Sequence, residues 1–208
     1  MPFSCRLKPS ALMAVVFIVA AIVSFEAAEG QTADVTAADE QTAVYHLPPS
    51  KRGGHAVKLI YNVDVPIEVF WKFKTDFDGD FLETNRYIDS SRFVYRTNDT
   101  VVTETRYTGS PNVAFRWQTT LYPSVHGLSY VLLNPKDCGQ KFNYGFIKLE
   151  AVAGGTRVTH TSYFDFFGAT IWAGLPGPIG MEAFLRYTAR WERETILRLL
   201  PRYQPDTR

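Results

Sequence analysis

The stretch from Gly174 to Tyr203 constrains the fold of this chain more than any other. It opens with a Gly/Pro-rich run, Gly174 to Gly180, continues as good helix formers from Met181 to Leu200, and meets Pro201. Breakers on both sides of such a run predict one long helix that Pro201 closes. Wound at about 100° per residue, it places Met181, Phe184, Leu185, Thr188, Ala189, Trp191, Thr195, Ile196 and Leu199 on one side. Arg186, Arg190, Arg193 and Glu194 fall on the other, as a solvated stripe would. Glu192 breaks the pattern by falling near the middle of the apolar side. A carboxylate there must find a partner or face a cavity, because an unpaired buried charge is very costly.

An amphipathic helix of this length needs a surface to cover, and the preceding residues supply one. From Ser90 onward, apolar-rich segments alternate with turn residues: Arg92–Arg96, Val101–Tyr107, Val113–Tyr122, Gly127–Leu133, Phe142–Glu150 and Thr156–Phe166. Asn98-Asp99, Gly109 to Asn112, Pro123, Asn134-Pro135 and Gly154-Gly155 separate them. Connections this short predict six strands pairing antiparallel in chain order. Ahead of them, His55–Val63 reads as a strand with Val57, Leu59, Tyr61 and Val63 on one face. Asp64 and Pro66 start a short helix that carries Ile67, Phe70, Trp71 and Phe73. After Asp78-Gly79-Asp80, residues Phe81 to Ile88 read as a second short helix. The Asp76, Asp78, Asp80 spacing imitates a calcium loop. Phe81 and Tyr87 occupy the positions that would need Gly and Glu, so a turn is the better reading. Strand, two helices, six strands and a long helix make an α+β domain whose sheet buries one face under the helix.

The ends of the chain read differently. Arg6 and Lys8 precede a fifteen-residue apolar run, Ala11 to Phe25, which is short for a membrane span of about 20 residues. Small residues at Ala28 and Gly30 complete a secretory signal over residues 1–30 with cleavage before Gln31. The expectation is export, to a periplasm or the exterior, with an uncleaved N-terminal anchor as the alternative. Removing that segment leaves Cys138 as the one cysteine, so no internal disulfide can form and a small filler role is expected. Residues 31–54, rich in Ala, Thr, Asp and Gln and ending in Pro48-Pro49 and Gly53-Gly54, read as a flexible linker. The domain is then expected over 55–205. Neither the net charge of +1 nor any local basic run supports a nucleic-acid footprint, so no nucleic-acid partner is expected. The arginine stripe of the last helix allows at most a transient contact with an anionic membrane. No phosphate loop, paired-cysteine motif, HExxH or GxSxG occurs, and His46, His55 and His126 are too scattered for a metal site, so no cofactor or metal is expected.

Three segments carry a resemblance to a known superfamily. Val63-Asp64-Val65-Pro66-Ile67-Glu68-Val69-Phe70-Trp71 looks like its entry from first strand to first helix. Gly154-Gly155-Thr156-Arg157-Val158-Thr159 looks like its hairpin before the last strand, and Asp165-Phe166-Phe167-Gly168 to Leu185 like its lead into the long helix. With the β-α-α-β6-α order, residues 55–203 resemble the helix-grip superfamily of START lipid-transfer domains, Bet v 1-type proteins and polyketide cyclases. The resemblance implies a curved seven-stranded antiparallel sheet wrapped on the C-terminal helix. It also implies a deep cavity between them that takes lipids or other hydrophobic small molecules. These are fold markers and identify no ligand.

If the helix caps a cavity, Glu192 lies in it or on its rim, with Thr188 one turn earlier. Arg116, Arg106 and His160 on the strands are candidate partners. Trp117, Tyr130, Tyr144, Phe164 and Trp172 are candidate aromatic walls, with Phe115 and Phe146 beside them. Two readings stand. In one, Glu192 pairs with an arginine or histidine and pins helix to sheet. In the other, that polar group anchors a ligand inside an aromatic pocket. A binding or transfer protein, expected to be a monomer, is the leading functional reading. A cyclase- or dehydratase-like enzyme using Glu192 and His160 as acid and base is the alternative, and a structural module without a pocket is a second one.

Overall fold

The structure, a computed structural model, describes residues 42–167 and 180–204. All of them belong to one compact unit. The expected signal segment, its cleavage site, the Gly/Pro run before Gly180 and Trp172 lie outside the described residues.

Eight strands form one antiparallel sheet: β1 (Thr42–Leu47), β2 (His55–Val63), β3 (Ile88–Arg96), β4 (Thr100–Tyr107), β5 (Ser110–Tyr122), β6 (Gly127–Leu132), β7 (Gln140–Val152) and β8 (Gly155–Phe166). Their order across the sheet is β1-β2-β8-β7-β6-β5-β4-β3. The six meandering strands are neighbours in sequence order, as short turns demand. The strand expected first in the sequence, β2, instead pairs beside β8, and β1 pairs beyond it.

The sequence expectation of seven strands is corrected by β1, which lies inside the segment read as a linker. It pairs with β2 from Thr42 opposite Tyr61 to Leu47 opposite Ala56. Its six residues carry too little alternation to signal a strand, and Pro48-Pro49 follow at once. Pairing along β2, with Val44 packed on the core, is what fixes it.

Helix α1 (Ile67–Lys74) starts at Pro66, buries Val69, Phe70 and Phe73, and ends where the Thr75 hydroxyl donates to the Trp71 carbonyl at 2.8 Å. The expected second helix is a five-residue 3-10 turn, Asp80–Thr84, flanked by extended Gly79 and Asn85, and Ile88 is already the first residue of β3. Helix α2 (Met181–Arg198) follows Gly180, whose φ of 123° is open to glycine alone. It buries Leu185, Ala189, Trp191, Glu192, Thr195 and Ile196, the side that the helical spacing marked. Pro201 does not end the helical path. The chain breaks at Leu199, and Pro201 sits in the first turn of a short α3 (Leu200–Tyr203), where its missing N–H costs nothing.

Strand alternation sorts the sheet into two faces. Leu59, Leu121, Leu128, Ile147, Leu149, Val158 and Phe164 point toward the helices and belong to the core. The densest packing is aromatic. Phe73 stacks on Phe81 at 4.9 Å, Trp191 stacks on Phe81 at 6.2 Å, and Tyr203 meets Phe73 edge-on at 5.8 Å. Such pairs add about 0.5–1.5 kcal/mol each to the burial of their surface. Hydrogen bonds from Trp191 Nε1 to Thr84 Oγ1 (3.1 Å) and from Tyr203 Oη to Asp76 Oδ2 (2.7 Å) tie α2 to the end of the 3-10 turn and α3 to the segment just after α1. The arginine stripe of α2 is not simply solvated, because β1 lies beside it. Arg186 donates to the Thr42 carbonyl at 2.9 Å, and Arg193 to Thr42 Oγ1 at 3.0 Å.

Candidate functional site between sheet and closing helix

Glu192 is 4% exposed and fully engaged. Lys74, the last residue of α1, forms a salt bridge with Oε1, and the Tyr61 hydroxyl on β2 donates to Oε2. The carboxylate therefore ties α2 to α1 and to the sheet at one point. The pinning reading has the right geometry and the wrong partners: neither an arginine nor a histidine supplies the contact. Burial, followed by the Glu192 charge, pushes the Tyr61 hydroxyl well above its ordinary pKa and keeps it a donor.

The other polar group of the interior is a pair. Tyr130 on β6 places its hydroxyl 2.7 Å from His160 Nε2 on β8. Gly145 makes this possible. It lies opposite both Tyr130 on β6 and Ser162 on β8, and a methyl at its Cα would overlap the Tyr130 phenol and the Thr161 carbonyl. Without a side chain, β7 lets the Tyr130 ring cross it to reach His160. Burial, with the nearby Lys74 charge as the second cause, lowers the His160 pKa to about 3, so the imidazole is neutral at neutral pH. Burial also raises Tyr130 far above the usual phenol value and Tyr107 to about 12. Beside them, Trp117 meets Tyr130 edge-on at 5.7 Å. Its Nε1 lies near the Tyr107 hydroxyl, but the geometry falls short of a hydrogen bond, and this buried donor has no acceptor.

Tyr107, Tyr130 and His160 lie on the helix side of the sheet, and each is only half-buried. Side chains that fill a core have no free surface, whereas groups that line an internal cleft keep some. Trp117, Phe115, Phe184 and Tyr187 are half-buried on the same side of the sheet. Buried Thr103, Thr105, Thr119 and Ser162 also face that side, so its wall mixes aromatic rings with hydroxyls.

The expected site residues divide accordingly. Trp117, Tyr130, His160 and Glu192 face the interior. Phe164 does too, but with 0% exposure, stacked on His55 at 5.8 Å, it is core. Thr188 spends its hydroxyl on the Phe184 carbonyl at 2.9 Å. Arg116, Arg106 and Tyr144 are corrected: alternation puts them on the opposite face. Arg116 there shares Glu104 with Arg92 at 3.1 and 3.0 Å, Arg106 donates to the Pro111 carbonyl, and Tyr144 stacks on Tyr163. Phe146 also lies on that outer face. Residues missed from sequence are Lys74, Tyr61, Tyr107 and Ser162. Tyr61 and Ser162 were legible as in-phase strand positions, whereas nothing local marks Lys74 as half-buried beside a carboxylate 118 residues away. Among the described residues no three metal-ligating side chains converge.

No family model matches the chain, and no curated protein matches it. Solved structures do match. The Zhui aromatase/cyclase from Streptomyces sp. R1128 superimposes with a TM-score of 0.54 at 12% identity, over 76% of this chain and 96% of that one. A START superfamily protein from Mycobacterium smegmatis gives 0.52 at 15% identity, over 70% and 99%. Norcoclaurine synthase from Thalictrum flavum, in complex with dopamine and hydroxybenzaldehyde, gives 0.53 at 8% identity, over 83% and 97%. Strand order, the closing helix and these likenesses together show that this chain has the helix-grip fold.

Proposed function

We propose that this protein binds a hydrophobic small molecule or lipid between the sheet and α2, and that it does so after export. The observation that carries the reading is the set Tyr107, Tyr130 and His160, on the helix side of the sheet and with surface left to contact a ligand. Aromatic walls with a few placed polar groups are how small-molecule sites are commonly built. Trp117, Phe115 and Tyr107 supply the walls, and Tyr130 and His160 offer the polar end. The neighbours of the same fold support the reading by analogy, as one of them was solved with two aromatic molecules bound. The apolar run Ala11 to Phe25 with its small-residue cleavage site is what supports export. Native mass spectrometry of gently purified protein tests the binding: it should carry, or take up when offered, one hydrophobic molecule per chain. A spectrum that stays ligand-free under lipid and aromatic challenge sinks the reading.

The Tyr130–His160 hydrogen bond favours one second reading, a cyclase- or dehydratase-like enzyme. At 2.7 Å the phenol donates to the imidazole, and these are the kinds of group that acid–base chemistry such as enolisation or dehydration uses. Glu192 cannot be the acid of such a pair while Lys74 and Tyr61 occupy both its oxygens. Turnover lost in Tyr130→Phe with the fold and ligand uptake retained would favour this reading over simple binding.

A further inference from the structure

The sheet face turned away from α2 carries a row that crosses all eight strands. Leu47 lies opposite Ala56, Ala56 opposite Tyr163, Tyr163 opposite Tyr144 and Tyr144 opposite Val131. The row goes on through Gln118 and Val102 to Tyr95 on the edge strand β3. Gln118 is its one polar member, and Ala56 and Val102 within it are buried beneath their neighbours. One row away, Phe146 is 53% exposed and Tyr45 51%, while Val131 and Tyr95 in the row are 37% and 48% exposed. An outer sheet face normally alternates to polar residues, and contiguous apolar patches on a surface mark contact sites.

The charges around this row are predominantly positive. On strands of the same face, Lys58, Lys141, Lys148, Arg157, Arg92, Arg106 and Arg116 stand against three carboxylates, Glu104, Glu150 and Asp165. Each carboxylate is already bridged: Glu104 by two arginines, Glu150 by Lys148 and Asp165 by Lys141. That leaves an excess of four cations on one face of a chain whose formal net charge is +1. Arg52 adds a further cation over the Tyr144 ring, 5.6 Å from its centroid. By contrast, Arg186 and Arg193 of the α2 stripe are taken up by Glu182 and Thr42.

We propose that this outer face is a docking surface for a lipid surface bearing anionic headgroups. Tyrosines and short apolar side chains seat at the level of the headgroups, where amphipathic rings are favoured, while the surrounding lysines and arginines meet the negative surface potential. The interior side of the sheet is left free, so a molecule held under α2 would be presented with the protein resting on the membrane by its opposite face. The inference rests on the outer face alone and stands whether or not the interior binds a ligand.

The test is vesicle co-sedimentation of the full chain at low salt. Vesicles of phosphatidylcholine alone are compared with vesicles of three parts phosphatidylcholine to one part phosphatidylglycerol. Residues 11–25 are apolar and present in every arm, so the readout is the difference between variants. Wild type should bind the phosphatidylglycerol vesicles more tightly than the neutral ones, and added salt should weaken that binding. The charge variant Lys58→Gln/Arg157→Gln should lose affinity by roughly fivefold per residue. The apolar variant Phe146→Ser/Tyr45→Ser/Val131→Ser, at exposed positions where folding is not at stake, should bind at least about tenfold more weakly. Leu197→Ser, at an exposed position on α2, should behave as wild type. Outer-face variants that bind as wild type overturn the proposal. So does a loss confined to the charge variant, which would mean diffuse attraction without seating. A concentration-dependent dimer abolished by the apolar variant, with vesicle affinity unchanged, would assign the face to a second copy instead.

Discussion

Lowering the pH from about 7 to about 5 should destabilise this protein through His160, and the size of the effect follows from the structure. In the folded protein, burial and then the Lys74 charge lower the pKa of His160 to about 3. In the unfolded chain it titrates near its ordinary value of about 6.5. Between those values the unfolded state binds a proton that the folded state refuses. Stability is therefore complete above about pH 6.5 and falls as the pH drops toward 3. From pH 7 to pH 5 the loss is roughly 2 kcal/mol, about 1.4 kcal/mol for each pH unit below 6.5. Tyr130 on β6, the imidazole's hydrogen-bond partner, is raised far out of this window. The carboxylates held below their ordinary values, Glu104, Glu150 and Asp165, lose their stabilisation only as the pH falls further. Urea denaturation at the two pH values, for wild type and for His160→Gln, isolates the contribution. The variant should be less stable at pH 7 and should lose about 2 kcal/mol less on acidification. Equal losses in the two proteins would refute a buried neutral His160.

Two further substitutions probe the interior. Glu192→Leu leaves the half-buried Lys74 without its partner and should cost about 2–4 kcal/mol, whereas Glu192→Leu with Lys74→Met should recover most of that loss. Chemical denaturation of both variants checks this, and a double variant as unstable as the single one would contradict the pairing. Gly145→Ala puts a methyl where the Tyr130 phenol and the Thr161 carbonyl lie, so it should break the Tyr130–His160 hydrogen bond at a cost of about 1–3 kcal/mol. It should also raise the His160 pKa, read from the imidazole proton shifts across a pH series.

How much of this was legible in the sequence depended on whether the signal was periodic or long-range. The six meandering strands and the buried side of α2 follow from alternation and helical spacing, and the structure places Leu185, Ala189, Thr195 and Ile196 as the spacing does. β1 escaped because its six residues become a strand only by pairing with β2. Phe81 to Ile88 has helix-like apolar spacing, but Ile88 is recruited by Tyr107 across the sheet, which shortens the turn. Glu192 was visible as a misplaced charge, while its partners were not, since they come from two other elements. Arg116, Arg106 and Tyr144 were assigned to the interior without a register. A one-residue difference in phase moves a side chain to the other face, and only the ladder from Thr103 opposite Trp117 to Tyr130 opposite Gly145 fixes that phase.

The central claim is that the space between the sheet and α2 takes a hydrophobic small molecule. The most direct measurement is the indole N–H resonance of Trp117, assigned with a Trp117→Phe variant and followed while a hydrophobic ligand is titrated. Trp117 Nε1 is buried beside Tyr107 and Tyr130 without an acceptor, whereas Trp191 Nε1 is held by Thr84 on the packed side of the core. The account predicts that the Trp117 signal moves and saturates at one ligand per chain while the Trp191 signal stays in place. A ligand that binds while leaving the Trp117 resonance unmoved would contradict it.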